Sequence, residues 1–446
     1  MTYQEFKEAV IQYCKEYQVT DYEIYYTQSA ATNVETYRNE VNSYSTENSM
    51  GVGFRLVEEG KAGYSSTENL SEEEAKSLVL RALENRKSIE SEDEAFIHEK
   101  GDTYAVMPKD DSVLPGGSKL IEAALILQKE MYAQDERVTD GTQSYISAGT
   151  ESYALYNSKG LDLEDRISYT VGMASALMTV GEEMYDGYKI KDDKMENLDL
   201  KALAGQAVEE AAATIGAASV PSGKYTVVFT GEAFAQLLKT YSAVFSAEAA
   251  QKGMSLLQGK EGEKIAADIV TLIDDPMYCD SVVKRTFDGE GVATFKKNVI
   301  EDGILKTMLH NLSTAAKAGV ASTGNGQKAS YADTVGVGPF TFYVKPVKGS
   351  REELLKEAGD GICIKDVSGL HAGANPLTGD FSLLASGFKF EAGRRTGGVK
   401  NITVSGNFFD LLKEIDKVGE DLEFTGIGLK CGAPSILVKD MTIAGE

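Results

Sequence analysis

Apolar residues near the start of the chain recur at the spacing of an α-helix. Phe6, Val10 and Tyr13 fall on one face of a helix predicted over residues 3–17, and charged residues separate them. Further along, Ser71 is followed by a run of glutamates in the capping-box pattern that marks a helix start. Apolar periodicity and Ala-rich composition predict further helices over residues 118–132, 198–215, 233–254, 313–318, 351–357 and 408–418.

Between these helices the pattern is typical of β-strands. Residues 22–26 form a short β-prone run, and residues 32–46 alternate and are rich in Val, Thr and Tyr. The runs GVGFRLV and AGYSS flank a polar turn at residues 58–61, which indicates a hairpin. A turn sequence at residues 157–160 divides the strand-like stretch 138–179. Together these segments predict an antiparallel meander.

A domain boundary is predicted where Val220-Pro221-Ser222-Gly223 follows the Ala-rich helix. The next residues, 225–229, form a strong strand pattern, and short strands separated by Gly-rich turns dominate the rest. The predicted class is α+β. Residues 1–220 are expected to form an antiparallel sheet with helices. Residues 221–446 are expected to be mainly β, a curved or barrel-like antiparallel sheet with a few helices.

Composition narrows the classes of function. The 446 residues include 69 acidic and 45 basic side chains, a net charge of −24, which disfavours direct binding to nucleic acid because that affinity comes largely from Lys and Arg. Cys14, Cys279, Cys363 and Cys431 lie far apart, which favours reduced thiols over a disulfide framework. The first residues lack signal-peptide features, and no apolar run is long enough to cross a membrane. We therefore expect a cytoplasmic protein.

Catalytic motifs with local signatures are missing from the sequence. It has no complete P-loop, no GxSxG elbow and no pair of histidines spaced for zinc. Of the three histidines, His98 is expected in a solvated loop and His310 in structural packing. His371 lies in a Gly-rich loop, where a ligand-binding role and a loop-stabilising role both stay open.

The segment around His371 resembles a known family. Residues 369–382, GLHAGANPLTGDFS, look like the hallmark of the TldD/PmbA family, and more specifically of its PmbA (TldE) branch. Residues 402–409, ITVSGNFF, and the segment 434–445 are similar to the same branch. Weaker similarities in the N-terminal half extend the resemblance over almost the whole chain.

The resemblance implies an indirect role in catalysis. The family pairs a zinc peptidase subunit, which carries His-Glu-x-x-x-His, with a related subunit that lacks this centre. By resemblance, the three motif positions here are Tyr241, Ser242 and Ser246. Hydroxyl groups are poor zinc ligands, so no catalytic residue, metal or other cofactor is expected in this chain. Zinc is expected in the partner, and no ligand role is carried over to Cys431.

The same resemblance implies the partners. A TldD-like zinc peptidase subunit is the expected partner, a homodimer is possible when the chain is alone, and unfolded peptides are the expected substrates. The Gly-rich loop is the candidate peptide-binding segment, through His371, Gly373, Asn375, Asp380 and Ser382. Two alternatives stay open: a homo-oligomeric peptide-binding scaffold, and a peptidase active by itself around His371, Asp380 or Cys431.

Overall fold

A computed structural model describes residues 1–88, 93–108, 114–425 and 428–446. Within these ranges the N-terminal half contains one antiparallel sheet with the strand order β3-β2-β1-β4-β5-β6, four α-helices and a short 3-10 helix at Met195–Asn197. Its elements are α1 (Tyr3–Glu16), β1 (Tyr22–Tyr37), β2 (Glu40–Glu58), β3 (Lys61–Thr67), α2 (Glu72–Ser88), α3 (Gly117–Gln134), β4 (Gln143–Asn157), β5 (Asp162–Val180), β6 (Glu183–Asp193) and α4 (Leu200–Ala213). The predicted antiparallel meander, the hairpin at residues 58–61 and the helices of this half are confirmed. The strand boundaries are wrong at one place: residues 22–26 belong to the longer β1, and the run 32–46 is divided by a turn at Arg38 and Asn39.

As far as the structure describes it, the C-terminal half is mainly β and holds two further six-stranded sheets and one two-stranded sheet. Its elements are β7 (Gly223–Phe229), α5 (Gly231–Tyr241), α6 (Ala247–Gln251), β8 (Leu272–Asp274), β9 (Lys297–Glu301), β10 (Ile304–Leu305), α7 (Leu312–Ala318), β11 (Gly326–Gln327), β12 (Gly336–Val337), β13 (Thr341–Val344), α8 (Arg351–Ala358), β14 (Gly361–Ser368), α9 (Leu370–Gly373), β15 (Asp380–Glu391), β16 (Arg394–Asn407), α10 (Phe408–Glu414), β17 (Ile415–Val418), β18 (Glu423–Phe424), β19 (Lys430–Ala433) and β20 (Ile436–Ala444).

One of these sheets closes into a barrel. Its order is β16-β15-β14-β7-β20, and β20 pairs back to β16 with Thr403 opposite Ala444. The predicted barrel-like sheet is therefore confirmed. Its pairs are antiparallel apart from β14 and β7, which run parallel with Ile362 opposite Val227. On β7, Val227 and Phe229 enter the main core with α5, whereas Val228 packs with α8.

Two predicted helices end early because the residues that follow pair with other segments as β-structure. The helix predicted over residues 233–254 is wrong as a single element: α5 ends at Tyr241, a short 3-10 helix follows, and Ser246 is extended. Ser246 forms a β-bridge with Leu309, whose carbonyl accepts from the Ala247 N–H. Likewise the helix predicted over 408–418 ends at Glu414, because the following residues pair with β20.

Alternation along β1 separates two interfaces. Tyr22, Ile24 and Tyr26 pack against α1 and α2, and Val34 packs in the cluster of α3 and α4. The intervening positions face the C-terminal half, where Tyr25 joins a cluster with Phe287. The period of two in a strand places these sets on opposite faces. The sheet therefore lies between its own helices and the C-terminal half.

The backbones of the two halves are in close contact where the N-terminal sheet meets the C-terminal half. On β2, a Cβ atom at Gly53 would lie 2.0 Å from the carbonyl oxygen of Tyr331, so only glycine fits there. The predicted boundary between residues 220 and 221 stays a prediction. No helix in the described ranges is long and apolar enough to cross a membrane.

A buried group of charges, the interface charge cluster, joins the two halves. It consists of Glu23 and Arg55 from the N-terminal sheet and Glu290 and Lys328 from the C-terminal half. Arg55 contacts Glu23 at 3.0 Å and Glu290 at 3.3 Å, and Lys328 contacts the other oxygen of Glu23 at 2.8 Å. All four side chains are at most 4% exposed. Burial would raise the pKa of Glu23, but the charges of Arg55 and Lys328 outweigh it and lower that pKa.

Asp288 lies beside this cluster, and its carboxyl group is a weaker acid than usual. Its carboxylate accepts N–H bonds from Glu290 at 2.9 Å, Val292 at 3.0 Å and Gly326 at 2.8 Å. Complete burial, reinforced by the charge of Glu290, nevertheless raises the pKa of Asp288 to about 8. The pKa of Glu290 is also raised, and burial is again the main cause.

We expect Arg55→Met to destabilise the protein strongly. The change leaves Glu290 buried without a cation and Glu23 with only Lys328, and breaking a buried pair costs about 3–5 kcal/mol. The free energy of unfolding, measured in urea, checks this. Asp268→Ala is the control, because it removes an ion pair with Lys264 whose side chains are 60% and 80% exposed; it should cost less than about 1 kcal/mol. Equal losses in both variants would contradict the role of the cluster.

We also expect Asp288→Asn to change how stability depends on pH. The folded protein holds a proton on Asp288 more tightly than the unfolded chain does, so this group stabilises the fold at low pH and loses that effect as pH rises towards about 8. Asparagine keeps an acceptor oxygen but cannot ionise. Urea unfolding of both proteins from about pH 5 to about pH 9 should show a weaker decline in the variant. Parallel curves would contradict the raised pKa.

Candidate functional site

Helix α5 carries the first predicted motif position at its last residue. The helix begins after Thr230, whose hydroxyl accepts from the Ala233 N–H. At its other end Tyr241 is fully buried and stacks on Phe408, with ring centroids 4.4 Å apart and planes 5° apart. Burial raises the pKa of Tyr241 to about 12, so the phenol is protonated at neutral pH.

The hydroxyl groups at the three motif positions all make structural hydrogen bonds. Tyr241 donates to the carbonyl of Asp380 at 2.8 Å, and Ser242 donates to the carbonyl of Lys239 at 2.8 Å. Ser246 is the N-cap of α6 and accepts from Ala249 at 3.3 Å.

These three side chains do not fit zinc. Their oxygens are neutral hydroxyls that already bond to the backbone, and Tyr241 ends one helix whereas Ser246 precedes the next, so they do not share a helical face. Among the residues that the structure describes, no group of three or more His, Cys, Asp or Glu side chains is arranged to hold a metal ion.

The Gly-rich loop closes on itself through backbone hydrogen bonds. The Asn375 N–H donates to the Asp380 carbonyl at 2.8 Å, and the Gly379 N–H donates to the Asn375 carbonyl at 2.8 Å. A Cβ atom at Gly373 would lie 2.3 Å from the carbonyl oxygen of Ser382, so the two arms of the loop touch there. The loop is therefore a defined structure that holds exposed side chains in place.

Four of the five predicted loop residues are exposed: His371, Asn375, Asp380 and Ser382. The Asn375 side chain accepts from the Leu377 N–H at 3.0 Å. Hydrogen bonds from Asn407, at 2.9 Å, and from Thr378 lower the pKa of Asp380. The hydroxyls of Ser382 and Ser405 are 3.0 Å apart.

The structure brings the two predicted regions together at one point. The bond from Tyr241 to the Asp380 carbonyl joins α5 to the Gly-rich loop, across 139 positions of sequence. Ser246 instead pairs with Leu309 in a β-bridge. The first motif position thus supports the loop, and the other two support the break between helices.

The other two histidines and Cys431 lie in structural surroundings. His310 is 4% exposed, its Nδ1 has no hydrogen-bond partner, and burial lowers its pKa, so the ring is neutral. His98 is in a loop, half-buried rather than solvated, and pairs with Asp102 at 2.8 Å. Cys431 is fully buried in β19, and burial raises the pKa of its thiol. These features disfavour Cys431 as a nucleophile.

Sequence patterns missed two adjoining cavities between the halves. The larger, about 650 Å³, lies between β5 and β6 on one side and the segment around Tyr278 and Phe424 on the other. The smaller, about 290 Å³, lies between β1, β4 and residues 283–289. Both include Thr341 and Lys430 in their walls. Their linings come from segments far apart in sequence, so no local motif marks them.

Comparisons with known proteins place this architecture. Three family models match: PmbA/TldA metallopeptidase domain 1 over residues 22–86, the central domain over 115–215 and the C-terminal domain over 222–445. The metalloprotease PmbA homolog of Haemophilus influenzae is 25% identical, over 95% of this chain and 92% of that protein.

Two solved structures share the fold over nearly their whole length. One, from Thermotoga maritima, is named as a candidate modulator of a DNA gyrase; it is 31% identical with a TM-score of 0.89, covering 99% of this chain and 100% of that one. The other is TldE from Thermococcus kodakarensis, 23% identical with a TM-score of 0.89 over 99% and 100% of the two chains. The C-terminal family model alone spans half of the sequence. The chain therefore belongs to the PmbA/TldD family of metallopeptidases.

Proposed function

We propose that this chain is the TldE-type, non-catalytic subunit of a cytoplasmic two-subunit metallopeptidase. A TldD-like partner supplies the zinc, and the pair acts on unfolded peptides. The observation that carries the proposal is the state of Tyr241, Ser242 and Ser246, whose hydroxyls are buried and bonded to the backbone. A side chain in that state offers a metal no charged or free ligand.

The Gly-rich loop supports a role in peptide binding. Its closed backbone presents His371, Asn375, Asp380 and Ser382 at the surface, and the buried Tyr241 supports it from behind. Rigid support of exposed polar groups lowers the entropy cost of binding a flexible chain. In this proposal a homodimer is possible when the chain is alone.

The two alternatives differ from the proposal in what the isolated chain does. A homo-oligomeric scaffold would bind peptide and never join a zinc subunit. A self-sufficient peptidase would need a nucleophile or a base, and buried Cys431 with a raised pKa is a poor nucleophile.

We expect the purified chain to hold far less than one zinc per molecule and to leave an unfolded peptide intact. Mixing with a TldD-type zinc peptidase from the same genome should give a complex of the two chains that cleaves the peptide and loses activity with a chelator. Metal analysis, size-exclusion chromatography and a peptidase assay check these points. One tightly bound zinc per isolated chain would sink the proposal.

We expect Tyr241→Phe to reduce stability without affecting catalysis by the complex. The change removes the bond to Asp380 but keeps the stack on Phe408, and a hydrogen bond of this kind contributes about 0.5–1.5 kcal/mol. Urea unfolding and the kcat of the two-chain complex provide the measurements. Ser405→Ala is the control, since it removes only an exposed contact with Ser382. A large loss of kcat in Tyr241→Phe would assign that phenol to catalysis instead.

A further inference from the structure

The smaller cavity between the halves contains an arginine, Arg285, that forms no ion pair with any residue that the structure describes. Tyr25 and Tyr153 form its N-terminal wall, and Arg285, Gln327 and Lys328 lie on the C-terminal side. Lys328 pairs with Glu23, and Lys430, at the junction with the larger cavity, pairs with Asp192. For Arg285, no carboxylate in the described part of the chain lies within ion-pair distance.

Contacts with its neighbours orient the guanidinium of Arg285. Its central carbon lies 3.4 Å from the ring centroid of Tyr153, a cation–π contact across the interface. One terminal nitrogen, Nη1, donates to the carbonyl of Lys284 at 3.2 Å. Within the described residues, Nε and Nη2 donate to nothing, so they remain available for a planar two-point contact.

The carboxylates near Arg285 are engaged elsewhere. The charge of Arg285 acts on Asp165, but the oxygens of that carboxylate accept from the N–H of Thr286 at 2.7 Å and from its hydroxyl at 2.6 Å. Asp288, which lines the same cavity, accepts three backbone N–H bonds, and its raised pKa reduces its negative charge. The hydroxyl of Tyr153 donates to Glu151. An anionic ligand would therefore meet Arg285 without displacing an internal partner.

The guanidinium of Arg285 and the volumes of the two cavities indicate which kind of anion fits. A guanidinium fork matches a carboxylate in two parallel hydrogen bonds. The smaller cavity, at about 290 Å³, is at the lower end of ligand pockets, which suits one terminal residue. The larger cavity adjoins it at Thr341 and Lys430 and provides about 650 Å³ for the residues before it.

We propose that Arg285 binds the C-terminal carboxylate of a peptide, whose last residue occupies the smaller cavity and whose preceding residues lie in the larger one. The proposal deepens the proposed function, because it assumes that this chain handles unfolded peptides. It adds a recognition site on the non-catalytic chain that selects free C-termini over internal peptide segments.

A binding experiment with the full-length chain tests the proposal directly. Two fluorescently labelled unfolded peptides of the same sequence are compared, one ending in a free carboxylate and the other in an amide. In fluorescence polarisation the wild-type protein should bind the free acid at least about tenfold more tightly, since a charge-assisted contact is lost with the amide. Equal affinities, or no binding of either peptide, would overturn the proposal, and this comparison needs no variant.

Two substitutions then assign the effect to Arg285. Arg285→Gln should abolish the preference for the acid while leaving affinity for the amide unchanged. Arg395→Gln is the matched control, because Arg395 also stacks on an aromatic ring, that of Phe388, and donates to a carbonyl, yet lines neither cavity. It should keep the full preference. If Arg285→Gln, shown to be folded by its melting curve, retained the preference, the carboxylate site would lie elsewhere.

The outcome is separable from that of the proposed function. Peptide binding is measured on the isolated chain, without zinc or a partner. A chain that prefers free C-termini but joins no zinc peptidase would retain this inference and reject the subunit role. A chain that forms an active complex but ignores the C-terminal carboxylate would do the reverse.

Discussion

Arg55 links the N-terminal sheet to the C-terminal half, because its guanidinium contacts Glu23 on its own sheet and Glu290 across the interface. Two of the three ion pairs of the cluster cross between the halves: Arg55 with Glu290, and Lys328 with Glu23. Buried charges are costly unless paired, so the halves are held in one relative position in which every pair forms. Lys328 also lines the smaller cavity, so the same contacts fix one wall of the candidate ligand site.

The region where the family's zinc motif is expected makes structural contacts that connect two helices and support the Gly-rich loop. Tyr241 fills space against Phe408 and fastens the Gly-rich loop, while Ser246 starts a new helix after a β-bridge. Hydroxyls suit such positions because they satisfy backbone groups in a buried environment without carrying charge. The chain has the architecture of its family, and at these positions its hydroxyls bond to the backbone.

Local patterns were enough to predict much of the fold. The helix beginning at Tyr3 and the hairpin at residues 58–61 follow from periodicity and turn residues, and both are present. The predicted barrel-like C-terminal sheet is present as well. The breaks at Ser246 and Ile415 were missed because distant strand partners, Leu309 and Val438, determine them. Propensity over a short window carries no information about such partners.

The candidate site, too, could be predicted only in part from the sequence. The loop around His371 was marked by a continuous motif, but its support by Tyr241 joins residues distant in sequence. The position of Arg285 over Tyr153 depends on how the two halves dock, which no stretch of sequence encodes by itself. The assignment of motif positions came from a resemblance, and it stays a prediction.

The two-sided packing of β1 limits how the family can change in length. At residues 22–26 both faces of the strand are covered, so inserting one residue there would exchange the helix-facing and interface-facing side chains and put Glu23 beneath α1 and α2. At the turn between β1 and β2, the side chains of Arg38 and Asn39 are exposed, and the Asn39 N–H donates to the side chain of Gln128. A longer turn that keeps this hydrogen bond would cost little. Evolutionary insertions should therefore accumulate at that tip, where a subunit can acquire new contacts without disturbing the junction between its halves.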